Sequence, residues 1–413
     1  MYFKKLEFTL LSIVTMATAA WGNGYHTTLS DAASLGQALA GITRIESSTT
    51  ALDLPASMTF LEKGMHVLGG GLRQSSEFSF KGDAGKGRTD TEPVLGLFAS
   101  AVWNNQKIAL GISQNFPFNS AINWKKDWVG RRVLSKVDLH VGNTSPVFAY
   151  RIGNFSYGGG LNFYEGVVAL EKTTLTVDDN NEVRSTLGGD RGTGIGYNLS
   201  FVFNSNHFNF GISHHSPVTL KTHGGDIRFD TKDELTIQLT PIFPDTGVRV
   251  ELLLPSVTRI GLAAKDKQED PNYLIEMTFT RTGWSNYREL RFRFEKPVAG
   301  SRESVAEKHW IDTTEFSLGG NYVFKREGEN SMRVRGGIFY QPSPIPKKVL
   351  DPFTPDTSRN GFAVGLGIKR SRLLLDISYL TETFPERSST LPELAGTYDG
   401  NAHVIAAGVG YHW

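Results

Sequence analysis

The sequence predicts an all-β membrane protein: an antiparallel transmembrane β-barrel of about 14 strands, plugged by a small N-terminal helical hatch. Three observations predict this fold class: an export signal at the N-terminus, repeated extended segments along the chain, and a terminal strand that ends in aromatic residues. After the signal no run of eighteen or more apolar residues occurs, so no helix is expected to span a bilayer. The 44 glycines, 26 Phe, 13 Tyr and 7 Trp suit a large sheet with tight turns and aromatic girdles.

The N-terminus has the pattern of a secretory signal peptide. Two lysines precede an apolar run over residues 8–20, and that run ends in small side chains. This pattern predicts a signal peptide over residues 1–20, cleaved after Ala19 or Ala20. The mature chain is then expected to begin near Trp21.

Residues 21–63 differ in pattern from the rest of the chain. They are rich in Ala, Ser, Thr and Gly, and the apolar spacing around residues 32–40 is helical rather than alternating. We interpret them as a hatch that plugs the lumen, because a helical stretch enclosed by a barrel keeps its backbone hydrogen-bonded. An exposed periplasmic tail is the alternative.

Residues 64–413 are expected to form the barrel. About fourteen extended segments occur there, near 65–80, 93–104, 106–119, 136–152, 154–177, 183–203, 207–231, 248–264, 271–294, 312–325, 331–341, 359–369, 371–384 and 400–413. The connections between them alternate between tight turns and longer links, as the two rims of an outer-membrane barrel do. A sheet with one solvated face in a soluble protein would give a similar alternation.

The last strand has the alternation expected of a strand that closes a barrel. Its apolar and aromatic face includes Val409, Tyr411 and Trp413, and the opposite face carries small residues. From this segment alone, the terminal strand of a soluble sandwich remains an alternative.

Composition and charge exclude several functions. The chain has no cysteine, so neither disulfides nor thiolate chemistry is possible. Its 43 basic and 42 acidic residues give a formal net charge of +1, which provides no reason to expect nucleic acid as a partner. The pair His214 and His215 lies on a predicted strand, where neighbours point to opposite faces, so we expect neither a metal site nor catalysis there. No cofactor is expected.

The third predicted strand contains an irregularity. Alternation over residues 107–113 is interrupted by Gln-Asn-Phe-Pro-Phe at 114–118. Proline cannot donate to a β-ladder, so a kink is expected there, and with it a gap in the wall that is tolerated only if protein covers it or it lines a passage. The candidate residues are Asn115, Phe116, Pro117 and Phe118. The simpler interpretation is that Pro117 marks the end of the strand.

Several motifs together resemble the FadL/TodX type of outer-membrane transporters over essentially the whole mature chain. Gly24-Tyr25, followed by Ser-Leu-Gly-Gln-Ala-Leu-Ala-Gly at 34–41, is similar to the hatch signature of that family, and Leu-Pro-Ala-Ser-Met at 54–58 to its "NPA" segment, with Leu54 in place of the asparagine. Further similar segments are Leu254-Pro255, Thr282 to Ser285, and Gln341 to Pro346. The loop near residues 177–183 is shorter than in the fatty-acid transporters.

The resemblance implies passive uptake of small hydrophobic molecules, long-chain fatty acids or aromatic hydrocarbons, across the outer membrane of a Gram-negative bacterium. It implies a route through an internal pocket and a lateral opening at the kinked third strand. The hatch residues that it marks are Gly24, Tyr25, His26, Gly36, Pro55 and Ala56. A monomer is expected, with a hydrophobic ligand, outer-membrane lipid and the barrel-assembly machinery as partners and Trp413 in the insertion signal. The alternative is a general porin or a surface-binding barrel; an enzyme is not expected.

Overall fold

The structure is a computed structural model that describes residues 23–27, 31–125, 127–178, 181–188, 191–222, 224–230 and 239–413. The predicted signal peptide, residues 1–20, lies outside the described residues. Within the described ranges, no helix is both long and apolar enough to cross a membrane.

The predicted hatch contains only short helical elements. They are α1 (Ala32–Gly36), α2 (Thr50–Asp53) and a 3-10 turn (Pro55–Phe60). The Asp31 side chain caps α1 by accepting the Ser34 N–H at 2.5 Å, and the helix ends early because the residues beyond its C-terminus turn to positive φ. The helical pattern around residues 32–40 therefore yields little more than one turn.

The strands are long and account for most of the chain. Their bounds are β1 (Gly64–Gly82), β2 (Gly85–Arg88), β3 (Val94–Asn104), β4 (Ile108–Asn123), β5 (Lys136–Ile152), β6 (Phe155–Asp178), β7 (Asn181–Gly188), β8 (Gly192–Asn204), β9 (Phe208–His215), β10 (Val218–Thr222), β11 (Gly225–Asp230), β12 (Thr246–Leu254), β13 (Ser256–Lys265), β14 (Tyr273–Gly283), β15 (Glu289–Val298), β16 (Ser301–Glu307), β17 (Thr313–Glu327), β18 (Asn330–Gln341), β19 (Arg359–Arg370), β20 (Leu373–Ser389) and β21 (Gly396–His412). Two more 3-10 turns are Trp284–Asn286 and Lys347–Val349.

All strands belong to one antiparallel sheet that closes on itself. The closed circuit runs β1, β3, β4, β5, β6, β8, β9, β13, β14, β17, β18, β19, β20, β21 and back to β1. The remaining strands, β2, β7, β10, β11, β12, β15 and β16, extend the sheet at one rim. A closed sheet has no free edge along its circuit, which suits a wall that lies in lipid.

The predicted all-β barrel architecture is confirmed, but the predicted number of about 14 strands is wrong, because seven further strands extend the sheet beyond the circuit and bring it to 21 strands. Breaks near Pro217, at Pro255 and at the turn Trp284–Asn286 divide segments that the alternation had joined. In addition, β2 and β16 lie where the sequence predicted only long links. Apolar alternation continues across a bend in a strand, so it does not reveal where the backbone changes direction.

The two rims of the barrel differ in their connections. At one rim the strands are joined by tight turns, such as Asn104 to Ile108 and Arg370 to Leu373; at the other, by longer links such as Asn123 to Lys136 and Gln341 to Arg359. We call these the short-turn rim and the long-loop rim. The extra strands all lie at the long-loop rim.

The outer surface of the wall is apolar. Ile195 is 67% exposed, and an outward row of β19, which includes Phe362 and Val364, is exposed as well. At the seam between first and last strands, pairing of β1 with β21 is continuous from His66/His412 to Lys81/Thr397, and Val409, Tyr411 and Trp413 are exposed on the outer surface. This seam leaves no gap in the wall.

Candidate functional site

The seam between β3 and β4 is paired over only part of its length. The two strands pair from Asn104/Ala109 to Ala99/Gln114, and the pairing then stops. Nearer the long-loop rim the seam closes again, because the Asp90 N–H donates to the Asn123 carbonyl at 2.7 Å. Between these points, residues 91–98 and 115–122 form no backbone pairs with each other within this described stretch. The seam is therefore unpaired over a stretch that is bounded at both ends by paired residues, and we call this stretch the opening.

A proline-containing β-bulge lies in the unpaired stretch of β4. The register of β4 against β5 shifts between Asn115 and Phe118, so Phe116 and Pro117 together lie opposite a single residue, Gly142. The Phe116 ring would lie 3.4 Å from a Cβ at that glycine, so this residue leaves room for the ring. The bulge bends β4 away from β3, and Pro117 has no N–H to offer either neighbour.

The start of the hatch supplies the backbone partners that β3 does not. The Thr27 N–H donates to the Pro117 carbonyl at 2.7 Å, and the Asn119 N–H donates to the Tyr25 carbonyl at 2.8 Å. His26 and Phe118 form an antiparallel β-bridge. Residues 23–27, which we call the N-terminal segment, thus lie along the bulge from inside the barrel.

Behind the opening lies a cluster of aromatic rings with Tyr25 at its centre. The Tyr25 ring is fully buried, and its centroid lies 4.8 Å from that of Trp284, 5.8 Å from Tyr287, 5.7 Å from Trp310 and 6.3 Å from Phe118. Its hydroxyl donates to a main-chain carbonyl of β12. Tyr25 thus lies at the centre of a buried apolar cluster, which we call the aromatic pocket.

Two neighbouring residues hold the segment in this position. The Asn23 side-chain oxygen accepts hydrogen bonds from Trp284 Nε1 at 2.9 Å and from Thr313 Oγ1 at 2.8 Å. Gly24 has a φ of 67°, and a Cβ there would overlap the Trp310 ring. Only glycine satisfies both the backbone conformation and the space.

One titratable group next to the segment and one within it have shifted pKa values. Burial raises the pKa of Asp356 to about 7, against the opposing effects of the Gly24 N–H, which donates to it at 3.1 Å, and of Arg359 and Arg387. Burial also lowers the pKa of His26 to about 3, with Arg259 contributing, so that this imidazole is neutral. The only titratable side chain within the segment besides Tyr25 is therefore uncharged at physiological pH.

The rest of the predicted hatch, residues 31–63, contacts the wall away from the opening. Gly36 packs closely against Gly365, and Pro55 begins the 3-10 turn whose Ala56 N–H donates to Ser200 Oγ at 2.9 Å. The predicted site residues thus fall into two groups. Tyr25 and His26 contact Phe118 of the bulge, with Gly24 beside them in the segment, whereas Gly36, Pro55 and Ala56 contact other parts of the wall.

Buried ion pairs hold this second part of the predicted hatch together and attach it to the wall. Arg44 forms a pair with Asp31 at 2.7 Å, and Glu46 pairs with Arg335 of β18 at 2.7 Å and also with Arg333. The three arginines hold the pKa of Glu46 well below its usual range.

The sequence did not mark Tyr287, Trp310 or Asp356 as site residues. Trp284 occurs in one of the motifs noted above, and that motif was its only signal. Within the described ranges, no group of three or more His, Asp or Glu side chains is placed to hold a metal ion.

A family model described as outer membrane protein transport protein (OMPP1/FadL/TodX) matches residues 13–413. No curated protein matches the chain. A solved structure of a Pseudomonas aeruginosa FadL homologue aligns with a TM-score of 0.79 at 16% identity, over 94% of this chain and 99% of that one. The Ralstonia pickettii toluene transporter TbuX aligns at 0.67 and 13%, over 92% and 98%, and the P. putida toluene transporter TodX at 0.67 and 12%, over 93% and 98%.

Proposed function

Because this chain belongs to the outer membrane protein transport family OMPP1/FadL/TodX, we propose that it takes up small hydrophobic molecules passively through the opening between β3 and β4. Membership makes it an outer-membrane transport protein of a Gram-negative bacterium and not an enzyme. In such barrels the short-turn rim faces the periplasm and the long-loop rim faces outward. The ligand therefore enters from the long-loop side.

The observation that carries the proposal is the aromatic pocket directly behind the opening. Tyr25, Trp284 and Trp310 are all fully or almost fully buried there. A ligand that replaces the Tyr25 ring leaves water and gains about 25 cal/mol for each Å² of apolar surface that is buried. Such a gain favours apolar molecules over ions and sugars.

The opening offers a sideways exit from that pocket into lipid. Unpaired main-chain groups are costly at membrane depth unless protein covers them or a passage is lined by them. Here the carbonyls of Phe116 and Pro117 accept hydrogen bonds from Thr27, so the hatch covers the gap while it is seated. Displacing the N-terminal segment would uncover the passage.

The route therefore has two steps. An apolar ligand binds in the aromatic pocket and displaces Tyr25, His26 and their neighbours, and it then diffuses past the bulge into the membrane. No energy source is needed, because each step follows the ligand's own preference for apolar surroundings. Aromatic hydrocarbons are proposed as ligands because the similar TbuX and TodX structures are described as toluene transporters. Long-chain fatty acids are proposed from the family resemblance of the sequence.

The test removes the bulge. Deleting Phe116 and changing Pro117→Thr restores a donor and a one-to-one register between β4 and β5. Cells whose only such channel is this variant are expected to take up labelled toluene, or labelled oleate, at least tenfold more slowly than cells with the native chain, although the barrel inserts normally.

The chain provides a matched control. β20 has a similar bulge at Pro385 and Glu386, between Phe384 and Arg387, and it lies away from the opening. Deleting Glu386 with Pro385→Thr should leave uptake unchanged. Equal uptake by both variants would overturn the lateral route, and ion conductance by the native chain without uptake of either ligand would favour a porin.

A further inference from the structure

A cluster of basic side chains lies on the outer surface near the long-loop rim, on strands other than the β3 and β4 that border the proposed uptake route. Lys221 of β10, Arg249 of β12, and Arg291 and Arg293 of β15 line an open cavity of about 320 Å³. Thr222, Val250 and Glu251 complete its lining. We call the four basic residues the outer basic patch.

The alternation of β12 shows that the patch faces away from the lumen. Val248 and Val250 are buried and pack into the interior cluster that contains Tyr25, whereas Arg249 and Glu251 alternate with them and are exposed. On β15, Leu290 is buried in the same cluster, and Arg291 and Arg293 point to the opposite face. The patch therefore lies on the surface that adjoins the membrane.

Strand register fixes the height of the patch. Lys221 pairs with Thr193 of β8, two residues above the outward-facing Ile195 of the apolar belt. Two residues of a strand rise by about 7 Å. Arg249 and Arg293 lie two residues farther up, so the patch spans the level at which the head groups of outer-leaflet lipids begin.

The patch has more positive charge than its neighbours neutralise. Arg249 lies directly opposite Arg293 in the register, an arrangement that is unfavourable without an anion. Arg293 has one carboxylate partner, Glu251 at 3.6 Å. Within the described part of the chain, Lys221 and Arg249 form no ion pair, whereas Arg291 is paired with Glu289 and Glu303.

We propose that the outer basic patch binds the phosphate groups of the phosphorylated glycolipid of the outer leaflet, lipopolysaccharide. Arginine forks match phosphate oxygens in two parallel hydrogen bonds, and a lysine adds a point charge. The acyl chains would lie along the apolar wall below the patch, beside Ile195, and the phosphates would lie between Arg249, Arg293 and Lys221. This site is separate from the uptake route, so it stands or fails independently of that function.

The experiment measures glycolipid retention by the full-length barrel. The variant Lys221→Gln/Arg249→Gln/Arg293→Gln removes the two cations without an ion pair and the arginine that lies opposite Arg249. The control Lys107→Gln/Arg370→Gln/Arg372→Gln removes three exposed basic residues at the short-turn rim, where the leaflet contains no lipopolysaccharide. All proteins are purified from outer membranes in mild detergent, checked for heat-modifiable folding, and assayed for bound lipopolysaccharide per barrel by mass spectrometry.

The native chain and the control are expected to retain glycolipid, and the patch variant to retain at least fivefold less. Bis-phosphorylated lipid A, added back to delipidated protein, should bind to the native chain at least fivefold more tightly than the dephosphorylated form. Equal retention by patch variant and control would overturn the proposal. So would equal binding of dephosphorylated lipid A, or binding of phosphatidylglycerol micelles as tight as that of lipid A.

Discussion

The two parts of the hatch are held in the barrel by different chemistry. Residues 31–63 are attached by buried charges, such as Glu46 between Arg333 and Arg335 of β18. The N-terminal segment, residues 23–27, is held mainly by neutral hydrogen bonds, ring contacts and main-chain pairing with the bulge in β4, with one hydrogen bond to the Asp356 carboxyl. One continuous stretch of chain thus contains a charge-fixed part and a part that, on the proposed route, an apolar ligand replaces.

The difference follows from the cost of breaking each kind of contact. Removing one partner of a buried ion pair costs about 3–5 kcal/mol, because the other charge stays buried and uncompensated. A neutral hydrogen bond contributes about 0.5–1.5 kcal/mol, and an apolar ligand can substitute for the burial of a ring. On the proposed route, ligand binding would therefore displace residues 23–27 without releasing residues 31–63.

Breaking the fixed part should have the largest effect. In Glu46→Gln, the positive charges of Arg44, Arg333 and Arg335 lose their shared carboxylate, and we expect a loss of about 3–5 kcal/mol in the stability of the seated hatch. Ion conductance in a planar bilayer should rise, because the lumen opens. The measurement is single-channel current together with urea unfolding of the purified barrel.

Glu327→Gln is the control for that change. Glu327 pairs with Lys325 at 3.3 Å, but both side chains are well exposed, so the loss should be below about 1 kcal/mol, with no new conductance. Indistinguishable currents and unfolding curves for the two variants would contradict a charge-fixed hatch.

Loosening residues 23–27 should reduce stability less than Glu46→Gln does. It should speed ligand uptake rather than raise ion conductance. Tyr25→Ala removes the ring from the aromatic pocket at a cost of about 3 kcal/mol to the seating of the N-terminal segment. We expect faster uptake of the transported ligand and little added ion conductance, because Glu46 still holds the rest of the hatch.

Tyr322→Ala, on the lipid-facing surface where Tyr322 is 55% exposed, is the matched control and should change neither property. Slower uptake in Tyr25→Ala, measured with the same labelled ligand, would mean that Tyr25 helps to bind the ligand and does not occupy its place.

The sequence predicted a kink at Pro117 and hatch residues near Tyr25, but it did not predict that these two regions contact each other. Pro117 in an alternating strand was sufficient to predict a kink, because proline removes a ladder donor wherever it lies. Gly24-Tyr25 was identified only through a family resemblance. Nothing local to Tyr25 indicates that it packs against Trp284, Tyr287 and Trp310, which lie more than 250 positions away and reach it only once the barrel has closed.

The number of strands was wrong for a related physical reason. A strand that bends at Pro255, or at the turn Trp284–Asn286, keeps its inward and outward alternation on both sides of the bend. Pairing partners decide where one strand ends and another begins, and these partners are distant in sequence. Closure of the barrel was easier to predict, because it follows from the terminal strand and the alternating segments together.

The smallest expected effect is a pH dependence of the replaceable part. Burial raises the pKa of Asp356 to about 7, and the Gly24 N–H, which donates to this carboxyl at 3.1 Å, opposes that rise. A hydrogen bond to a charged group is worth about 1 kcal/mol more than one to a neutral group, so the ionised carboxylate favours the seated segment. This contribution is fully present above about pH 8 and is lost as the pH falls through about 7. Release of the segment, and with it uptake, should therefore increase by about threefold between pH 8 and pH 6. Asp356→Asn should remove this dependence when labelled-ligand uptake is measured at both pH values, and Asp83→Asn, in an exposed turn at the same rim, should retain it. A pH profile unchanged by Asp356→Asn would show that seating of residues 23–27 does not depend on this carboxyl.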